Sequence, residues 1–303
     1  MKISYSPQRN IDKIKWDNCI NTSGNGLIYA YSFYLDNMSR NWDALIMGDY
    51  EYVMPLTWNK KFGIYYLYQP FFCASLGVFG NDISAETIKI FLDHIPGKFK
   101  YWDFYLNKSN VFSIDGYNLY ERKNYVLPLQ KDYESLSAAY AKSHSRNINR
   151  AKETGNIVQK NISVEDLISL AKEQSKNFSP IKAKDHENVS QLFTFLQKKN
   201  MAATYGVYSS QQQLVASCAW FFSHNRAYYI LVGNHPNGRT SGASHLMIDH
   251  FIKEHAGENL IIDFEGSDIK NLAWFYRSFG AIEEKYAGIK LNRLPAIAKL
   301  FKQ

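Results

Sequence analysis

Cysteine is scarce in this chain, and the few cysteines lie far apart. The 303 residues contain three of them, Cys19, Cys73 and Cys218. An odd number at such wide spacing does not fit a disulfide framework, so we expect free thiols in a reducing compartment, the cytoplasm. The opening stretch MKISYSPQRN contains no apolar run, and we therefore expect no signal peptide.

Long uncharged runs are also rare, and the run from residue 62 to residue 81 is broken by polar and turn-forming residues. Gln69, Pro70 and several Gly and Ser interrupt it, and its core YYLYQPFF is aromatic. Aromatic residues are enriched in strands, whereas a membrane-spanning helix needs a longer uninterrupted apolar stretch. The sequence therefore predicts a pair of core strands here and no transmembrane segment.

Length, composition and charge limit the class of protein. Hydrophobic residues make up 46% of the chain, which favours packed cores over disorder. A chain of 303 residues exceeds one typical core, so we expect two domains. The net charge of +7 favours anionic partners, such as the phosphates of CoA, RNA or an anionic membrane face.

The hydrophobic patterns change along the chain. Strand patterns dominate residues 1–130, helical patterns begin at Tyr133, and three strands follow between residues 201 and 234. A strand–helix–strand–helix segment comes after them. Each half thus mixes helices with a mostly antiparallel sheet. We predict an α+β fold with domains at residues 1–135 and 136–303.

A turn rich in small residues separates the strand AYYILVGN from the next helix. In its segment RTSGAS, Arg239 and Gly242 are followed by further small residues. A helix N-terminus attracts anions, and small residues let a pyrophosphate approach the backbone. The turn therefore indicates a phosphate site, with a solvated loop as the alternative. The residues from Gly233 to Thr240 also nearly match the P-loop motif of nucleotide-binding proteins. Two departures count against that motif: Arg239 replaces the essential Lys, and Pro236 lacks the N–H that the loop needs.

Acidic residues and a tyrosine follow this helix. Asp263, Glu265 and Ser267 alternate with other residues along a strand, which predicts that Asp263 and Glu265 project to the same side. Neighbouring carboxylates raise each other's pKa, which suits a general base. Tyr276, in WFYRSFGA, is a candidate proton donor. The alternatives are an exposed strand end, a helix cap and a half-buried core tyrosine.

Charged residues elsewhere suggest a phosphate contact but no metal site. Lys142, Arg146 and Arg150 lie four apart, which places them on one helix face that is either solvated or holds phosphate. The histidines His245, His250 and His255 are spaced by five residues. That spacing spreads them around a helix, so we expect no metal.

These segments together resemble the GNAT superfamily of acyl-CoA N-acyltransferases. RTSGAS looks like that superfamily's pyrophosphate loop, in which Arg239 and Gly242 match and Ser244 departs from the usual small residue. YYILVGN resembles the strand whose splayed backbone holds the pantetheine and the thioester oxygen. FYRSFGA resembles the closing motif and places Tyr276 at the proton-donating tyrosine. The implied co-substrate is acyl-CoA, such as acetyl-CoA.

A second resemblance, to FemAB-type proteins, covers nearly the whole chain. SHSRNINRAKETG, IIDFEGS and FYRSFGA look like three motifs of these tandem GNAT-like folds. Fem enzymes transfer amino acids from aminoacyl-tRNA to peptidoglycan precursors, and Tyr276 stands where they usually have Lys. The resemblance implies two tandem GNAT-like domains, each a mixed, mostly antiparallel sheet flanked by helices.

The resemblances imply direct acyl transfer to an amine, either a small molecule or a cell-wall precursor. The first candidate donor is acyl-CoA, and the alternative is a Fem-like reaction with aminoacyl-tRNA. A degenerate, non-catalytic binding protein is the third, and an occluded loop at Arg239 would favour it. The predicted catalytic residues are Asp263, Glu265 and Tyr276. The predicted donor-binding residues are Val232, Gly233, Asn234, Gly238, Arg239, Thr240, Ser241, Gly242, Ala243 and Ser244.

Overall fold

A computed structural model describes residues 1–111, 113–175, 183–265 and 268–294. The described strands, in chain order, are β1 Ile3–Pro7, β2 Trp42–Met47, β3 Tyr52–Lys61, β4 Ile64–Tyr68, β5 Phe99–Leu106, β6 Leu119–Pro128, β7 Ile157–Lys160, β8 Ala202–Tyr208, β9 Leu214–Ser223, β10 Arg226–Asn234, β11 Ile261–Asp263 and β12 Ile282–Asn292. The α-helices are α1 Lys13–Thr22, α2 Ser32–Met38, α3 Ala85–Asp93, α4 Tyr133–Ala138, α5 Lys142–Glu153, α6 Val164–Ser175, α7 Ala183–Lys198, α8 Pro236–Ser241, α9 Ala243–His255 and α10 Lys270–Arg277.

The chain divides into two compact units. Unit 1 contains residues 1–122 and 285–303, and unit 2 contains residues 123–284. Both limits of unit 2 fall inside strands, β6 and β12, rather than in a linker. The division of the protein into domains at residues 135 and 136 stays a prediction.

Unit 1 is a mixed, mostly antiparallel sheet with helices on both faces. Its strand order is β1-β2-β3-β4-β5-β12, in which the β4–β5 pair is parallel and the others are antiparallel. The apolar residues Ile88, Phe91 and Leu92 of α3 pack into a core with residues of one face. On the other face, Trp16 of α1 contacts Trp42 at 5.1 Å between ring centroids. These residues recur at the three- and four-residue spacing of a helix with one buried face.

The predicted strand pair between residues 62 and 81 is wrong in part. Residues Ile64–Tyr68 form β4, but the chain then continues without a second strand of regular length. At the end of β4, the Gln69 side chain hydrogen-bonds to the backbone of β5 and to the backbone of the segment that follows. Its Oε1 accepts from the Tyr105 N–H at 2.9 Å, and its Nε2 donates to the Cys73 carbonyl at 2.7 Å.

Unit 2 repeats the strand pattern of unit 1. Its order is β7-β8-β9-β10-β11-β6, with β10–β11 parallel and the other pairs antiparallel. Phe251 of α9 stacks on Trp220 of β9 at 3.8 Å, and Phe193 of α7 lies 6.3 Å from Phe221. Because neighbouring strand residues point to opposite faces, the two helices cover opposite faces of the sheet.

In both units, four antiparallel strands are followed by a helical crossover to a parallel fifth strand and then by an antiparallel sixth. In each unit, the sixth strand comes from a part of the chain outside the run of the other five strands. In unit 1 it is β12, which pairs with β5, and in unit 2 it is β6, which pairs with β11. The predicted mixture of helices with a mostly antiparallel sheet is therefore present in each unit. Within the described ranges, no helix is long and apolar enough to cross a membrane.

Candidate active site

A β-bulge distorts the middle of β10. Ile230 lies opposite Ala219 of β9, but Gly233 lies opposite Ser217, so β10 has one residue more than its partner over this stretch. Leu231 accordingly has φ 53°, a left-handed backbone that L-residues rarely adopt. Bulges redirect backbone groups and are common beside active sites.

Just before the bulge, β10 parts from its parallel neighbour. Residues Arg226–Tyr228 pair with Ile261–Asp263 of β11, and no described strand pairs with that edge of β10 beyond Tyr228. β10 itself continues to Asn234. We call residues Tyr229–Asn234 the open edge of β10. Peptide groups on such an edge need other hydrogen-bond partners, which a bound donor molecule can supply.

The Asp263 carboxylate, at the end of β11, is already engaged on both oxygens. Oδ2 pairs with Arg226 at 2.6 Å, and both side chains are buried. Oδ1 accepts from the Asn124 side chain at 2.8 Å and from the Glu265 N–H at 2.9 Å. The Arg226 guanidinium also pairs with Glu284 at 2.7 Å. These contacts fix the strand ends and the start of the segment that follows.

Glu265 lies just beyond β11 and is not placed as strand alternation predicts. The strand ends at Asp263, and Glu265 has φ 65°, so the expected common side for the two carboxylates is wrong. Burial raises the pKa of the Glu265 carboxyl well above its usual range. The predicted mutual effect of two carboxylates is therefore not the cause. Ser267, the third residue of the predicted pattern, lies outside the described residues.

Tyr276 lies on the buried face of α10, close to Glu265. Its ring stacks on Phe264 with centroids 4.5 Å apart and planes at 14°. Tyr229 of the open edge contacts the same Phe264 ring edge-on at 5.9 Å. Burial raises the Tyr276 pKa, and the charge of Glu265 raises it further. Phe264 thus contacts the rings of Tyr229 and Tyr276 and precedes Glu265 in the chain. Burial raises the pKa of all three ionisable groups and so favours their neutral forms.

The predicted small-residue turn is largely helical. Residues Pro236–Ser241 form α8, which ends at Gly242 with φ 83°, and α9 begins at Ala243. Within α8, the Gly238 and Arg239 N–H groups donate to the His235 carbonyl at 2.9 and 3.2 Å. The Gly242 N–H donates to the Gly238 carbonyl. Three N–H groups of the predicted phosphate cradle are therefore bonded inside the protein.

The glycines of this turn serve close packing. A Cβ atom on Gly238 would lie 2.1 Å from the Val215 carbonyl oxygen of β9. A Cβ atom on Gly242 would lie 2.3 Å from the Asn147 carbonyl oxygen of α5. The sequence pattern is thus explained by neighbouring backbone, where we expected room for a pyrophosphate.

The other predicted donor-binding residues differ in exposure. Arg239 is exposed, so the loop is not occluded at that point, and its guanidinium forms no ion pair within the described chain. The Thr240 carbonyl accepts from Arg150 at 3.2 Å. The Ser244 hydroxyl donates to the Asn234 side chain and ties α9 to the end of β10. Val232 and Ser241 are half-buried, and Ala243 is buried.

The structure pairs His144 of α5 with His245 of α9, a contact that the sequence patterns do not predict. The rings meet edge-on with centroids 4.5 Å apart, and the His144 Nε2 donates to the Phe275 carbonyl at 3.0 Å. Asn147 contacts the His245 Nε2 at 3.2 Å. Burial, with smaller contributions from His144 and Arg150, lowers the pKa of His245 to about 4. The pair links α5 and α9 to Phe275 of α10, the helix that carries Tyr276.

One sequence signal would have found His144. It shares a helix face with Ile148 and Ala151, at the spacing of buried positions. No three metal-ligating side chains come together in the ranges for which side chains are described.

Comparisons with known proteins identify the fold. No protein-family profile and no curated protein matches the sequence. Among solved structures, FemX is similar with 13% identity and a TM-score of 0.66, over 100% of both chains. L-PGS from Bacillus licheniformis is similar with 12% identity and a TM-score of 0.59, over 99% of this chain and 96% of that chain.

A third similar structure is the C-terminal domain of a proposed lysylphosphatidylglycerol synthetase from Agrobacterium fabrum. Its identity is 9% and its TM-score 0.51, over 96% of this chain and 94% of that domain. Identities this low establish a shared fold. The resemblance to FemAB-type proteins that the motifs indicated is confirmed for the fold.

Proposed function

We propose that this protein is an acyltransferase, which moves an acyl group from an activated carbonyl donor to an amine at the open edge of β10. The observation that carries the proposal is the parting of β10 and β11 beside Tyr276 and Glu265. Backbone groups of the open edge would align the donor with the acceptor, and such alignment converts a bimolecular step into an effectively unimolecular one.

We further propose that units 1 and 2 are tandem GNAT-like domains. The repeated strand order and the same position of the one parallel pair support two copies of a single fold. The donor site lies in unit 2, where the bulge, the left-handed Leu231 and Tyr276 are found.

In the proposed reaction, the acceptor nitrogen attacks the donor carbonyl carbon and a C–N bond forms. N–H groups near Val232–Asn234 would hold the developing oxyanion. Glu265, when ionised, takes the proton from the amine, directly or through water. The bond to the leaving oxygen or sulfur then breaks, and the Tyr276 hydroxyl supplies the proton. Asp263 acts by positioning the Glu265 backbone.

For the donor, the contacts favour an aminoacyl ester carried on tRNA. The Gly238, Arg239 and Gly242 N–H groups already have partners, so the turn offers a poor cradle for a pyrophosphate. Lys142, Arg146 and Arg150 instead form an exposed stripe along α5 that reaches Thr240. An extended row of cations suits the backbone of a nucleic acid.

Acyl-CoA is the second candidate donor, and a different observation favours it. Ala243 and Ser244 begin α9 directly beside the end of β10, and Arg239 is exposed next to them. The first N–H groups of a helix are free of intrahelical bonds and attract phosphate. A CoA thioester could then lie along the open edge with its phosphates at this helix end.

The acceptor we propose is an amine of a cell-wall precursor or of a lipid or another small molecule. The names of the similar structures, FemX and lysylphosphatidylglycerol synthetase, support cell-wall and lipid acceptors. Buried free cysteines support a reducing compartment, such as the cytoplasm, where both donor classes occur.

A label-transfer assay tests the proposal. The protein would be incubated with tRNA charged with radiolabelled amino acids, or with labelled acetyl-CoA, and with pools of primary amines, peptidoglycan precursors and aminolipids. We expect label to move from the charged tRNA to one acceptor pool, and to move much more slowly with Tyr276→Phe. Transfer from acetyl-CoA alone would select the second donor. No transfer from either donor, with a folded protein and every pool tested, would contradict the proposal.

A further inference from the structure

The helix that carries Tyr276 is short and has a small buried face. Of the eight residues of α10, Ala273 and Tyr276 are buried, and Trp274 is 52% exposed. Apolar contacts between such a face and the core tolerate rotation, because they have no preferred direction. Rotation of α10 by one residue position would turn the Tyr276 side chain by about 100° around the helix axis. A directional contact is therefore needed to fix the phenol.

His144 of α5 supplies a directional contact to α10. Its Nε2 lies 3.0 Å from the Phe275 carbonyl oxygen. A carbonyl oxygen accepts and never donates, so Nε2 carries the proton. This carbonyl belongs to the peptide group that continues into the Tyr276 nitrogen, and the bond therefore holds the backbone next to the phenol. Because a hydrogen bond weakens steeply when its geometry is bent, it resists rotation of the helix.

The Phe275 carbonyl has no partner within its own helix. The last carbonyls of a helix lack an intrahelical N–H. The Phe279 N–H, which would bond to the Phe275 carbonyl if the helix continued, donates instead to the Tyr276 carbonyl at 3.0 Å. His144 thus satisfies an oxygen that the end of α10 leaves over.

Packing alone does not explain an imidazole at position 144. The rings of His245, Trp274, Phe275 and Phe279 surround it, with centroids between 4.5 and 5.5 Å away. Its Nδ1 is buried and has no hydrogen-bond partner among the described residues. Burial lowers the pKa of His144, which keeps the ring neutral with its one proton on Nε2. An apolar ring would fill this place without burying an unpaired nitrogen.

We propose that His144 is a positioning residue for the transfer reaction: its Nε2–H holds the Phe275 carbonyl and so fixes where the Tyr276 hydroxyl lies. His144 would act through Tyr276, so the inference rests on the proposed function. In a purely structural role, the bond would only help α10 to pack, and its loss would lower stability. In a positioning role, its loss lowers turnover in a protein that remains folded.

Steady-state kinetics of full-length variants separate the two roles. His144→Phe keeps a ring in the aromatic cluster and removes the N–H, while loss of the unpaired Nδ1 offsets part of the lost hydrogen bond. We expect a similar melting temperature, unchanged KM values and a kcat lowered by about 10- to 100-fold, because a small misplacement of a reacting group has effects of up to ~10²-fold.

Two longer side chains repeat the comparison without a ring. His144→Gln places an amide NH₂ that can donate to the same carbonyl, whereas His144→Met has a similar length and no donor. We expect His144→Gln to recover most of the wild-type kcat and His144→Met to stay low. If His144→Phe does not fold, this pair decides in the same way.

His245→Phe is the matched control, because it replaces the other imidazole of the pair and leaves the Phe275 carbonyl bonded to His144. It should keep nearly full turnover. A second readout needs no substrate: the NMR signal of tyrosine that is isotope-labelled at Cζ, with the Tyr276 resonance assigned by its absence in Tyr276→Phe. We expect this resonance to shift in His144→Phe and to return in His144→Gln.

A wild-type kcat in His144→Phe, or an unshifted Tyr276 resonance, would overturn the inference. Equal losses in His144→Phe and His245→Phe would overturn it too, as would a folded His144→Gln no faster than His144→Met. Absence of transfer from either donor would contradict the proposed function, and the Tyr276 resonance would then decide the inference by itself.

Discussion

At Tyr276, the contribution of the ring to packing can be separated from the contribution of the hydroxyl to catalysis. The ring stacks on Phe264 and fills the core of unit 2, whereas the hydroxyl makes no hydrogen bond with a described residue. A raised pKa keeps the phenol protonated, as a proton donor requires.

Tyr276→Phe should therefore lower turnover by ~10²–10⁴-fold, the usual contribution of general acid catalysis, with little change in donor affinity. Steady-state rates and donor titrations on the same preparations measure this. Tyr65→Phe, at a half-buried tyrosine of unit 1, is the control and should keep full activity. Normal turnover by Tyr276→Phe would leave Tyr276 as a packing residue.

The raised pKa of Glu265 makes the stability of the folded protein depend on pH. Because burial raises its pKa in the folded state, its contribution to stability is complete below the unfolded pKa and is lost as the pH rises through the folded pKa. Glu265→Gln stays neutral and should avoid this loss. The melting temperature of the variant, relative to wild type, should therefore increase from acid to mildly alkaline pH.

Thermal unfolding over a pH series measures this difference. Glu173→Gln, at an exposed position of α6, is the control and should show a difference that hardly changes with pH. A Glu265→Gln difference that stayed constant with pH would show that the carboxyl ionises as freely in the folded state as in the unfolded state.

Among the elements, β10 depends on close contact with a helix. Gly233 follows the bulge, and a Cβ atom there would lie 2.8 Å from the Ala171 backbone nitrogen of α6. A helix backbone cannot move away as a flexible side chain can. Gly233 therefore holds α6 against the open edge.

Gly233→Ala should lower the free energy of unfolding by about 1–3 kcal/mol, the cost of overpacking a filled interior. Urea denaturation measures it. Gly97→Ala is the control, because a Cβ atom at Gly97 meets no atom within 4 Å. If both variants unfolded at the same urea concentration, the contact between α6 and β10 would not be tight.

The elements also show where sequence patterns succeed. The strand patterns between residues 201 and 234 predict three strands, and β8, β9 and β10 lie within that range. The bulge at Leu231 has no sequence signal, because it depends on the register with β9. Gly238 and Gly242 carry the composition of a phosphate loop, yet β9 and α5 require them for packing. Local sequence cannot distinguish a glycine that faces a ligand from one that faces backbone of a distant segment.

The same limit applies to charged site residues. Asp263 and Glu265 were predicted as a pair on one side of a strand, but Arg226, far away in sequence, takes Asp263 into a buried ion pair. β11 ends at Asp263, and two residues later Glu265 has a left-handed backbone conformation. Asp263 and Glu265 could be found from sequence, whereas their arrangement follows from long-range contacts.

At the scale of the whole molecule, β6 determines where the chain can be divided without disrupting unit 2. β11 pairs with β6 on the side away from β10, with Ile261, Ile262 and Asp263 opposite Pro128, Leu127 and Val126. A chain cut at the predicted boundary, residues 136–303, would lose β6 together with Asn124, which donates to Asp263. The resemblance to FemAB-type proteins predicts two tandem domains, whereas residue patterns alone show no repeat, because the two units share strand order rather than sequence.

We predict that the fragment 136–303 does not unfold cooperatively, while the fragment 117–303, which keeps β6, does. Both contain β7–β11 and both lack β5, so they differ only in residues 117–135. Urea denaturation followed by tryptophan fluorescence compares them. A sharp transition in the shorter fragment would show that β6 is dispensable and would support the boundary at residues 135 and 136.

Donor binding at the open edge of β10 is the claim on which the proposed function rests, and hydrogen–deuterium exchange measures it directly. Exchange would be followed in the protein alone, with a tRNA carrying an amide-linked amino acid, and with acetyl-CoA. We predict that the tRNA slows exchange of the amides from Leu231 to Asn234, because none of these residues pairs with β11, and Leu231 and Val232 also lie in the bulge outside the register with β9. Unchanged exchange of these amides with both donors at saturating concentrations would contradict acyl transfer at this edge.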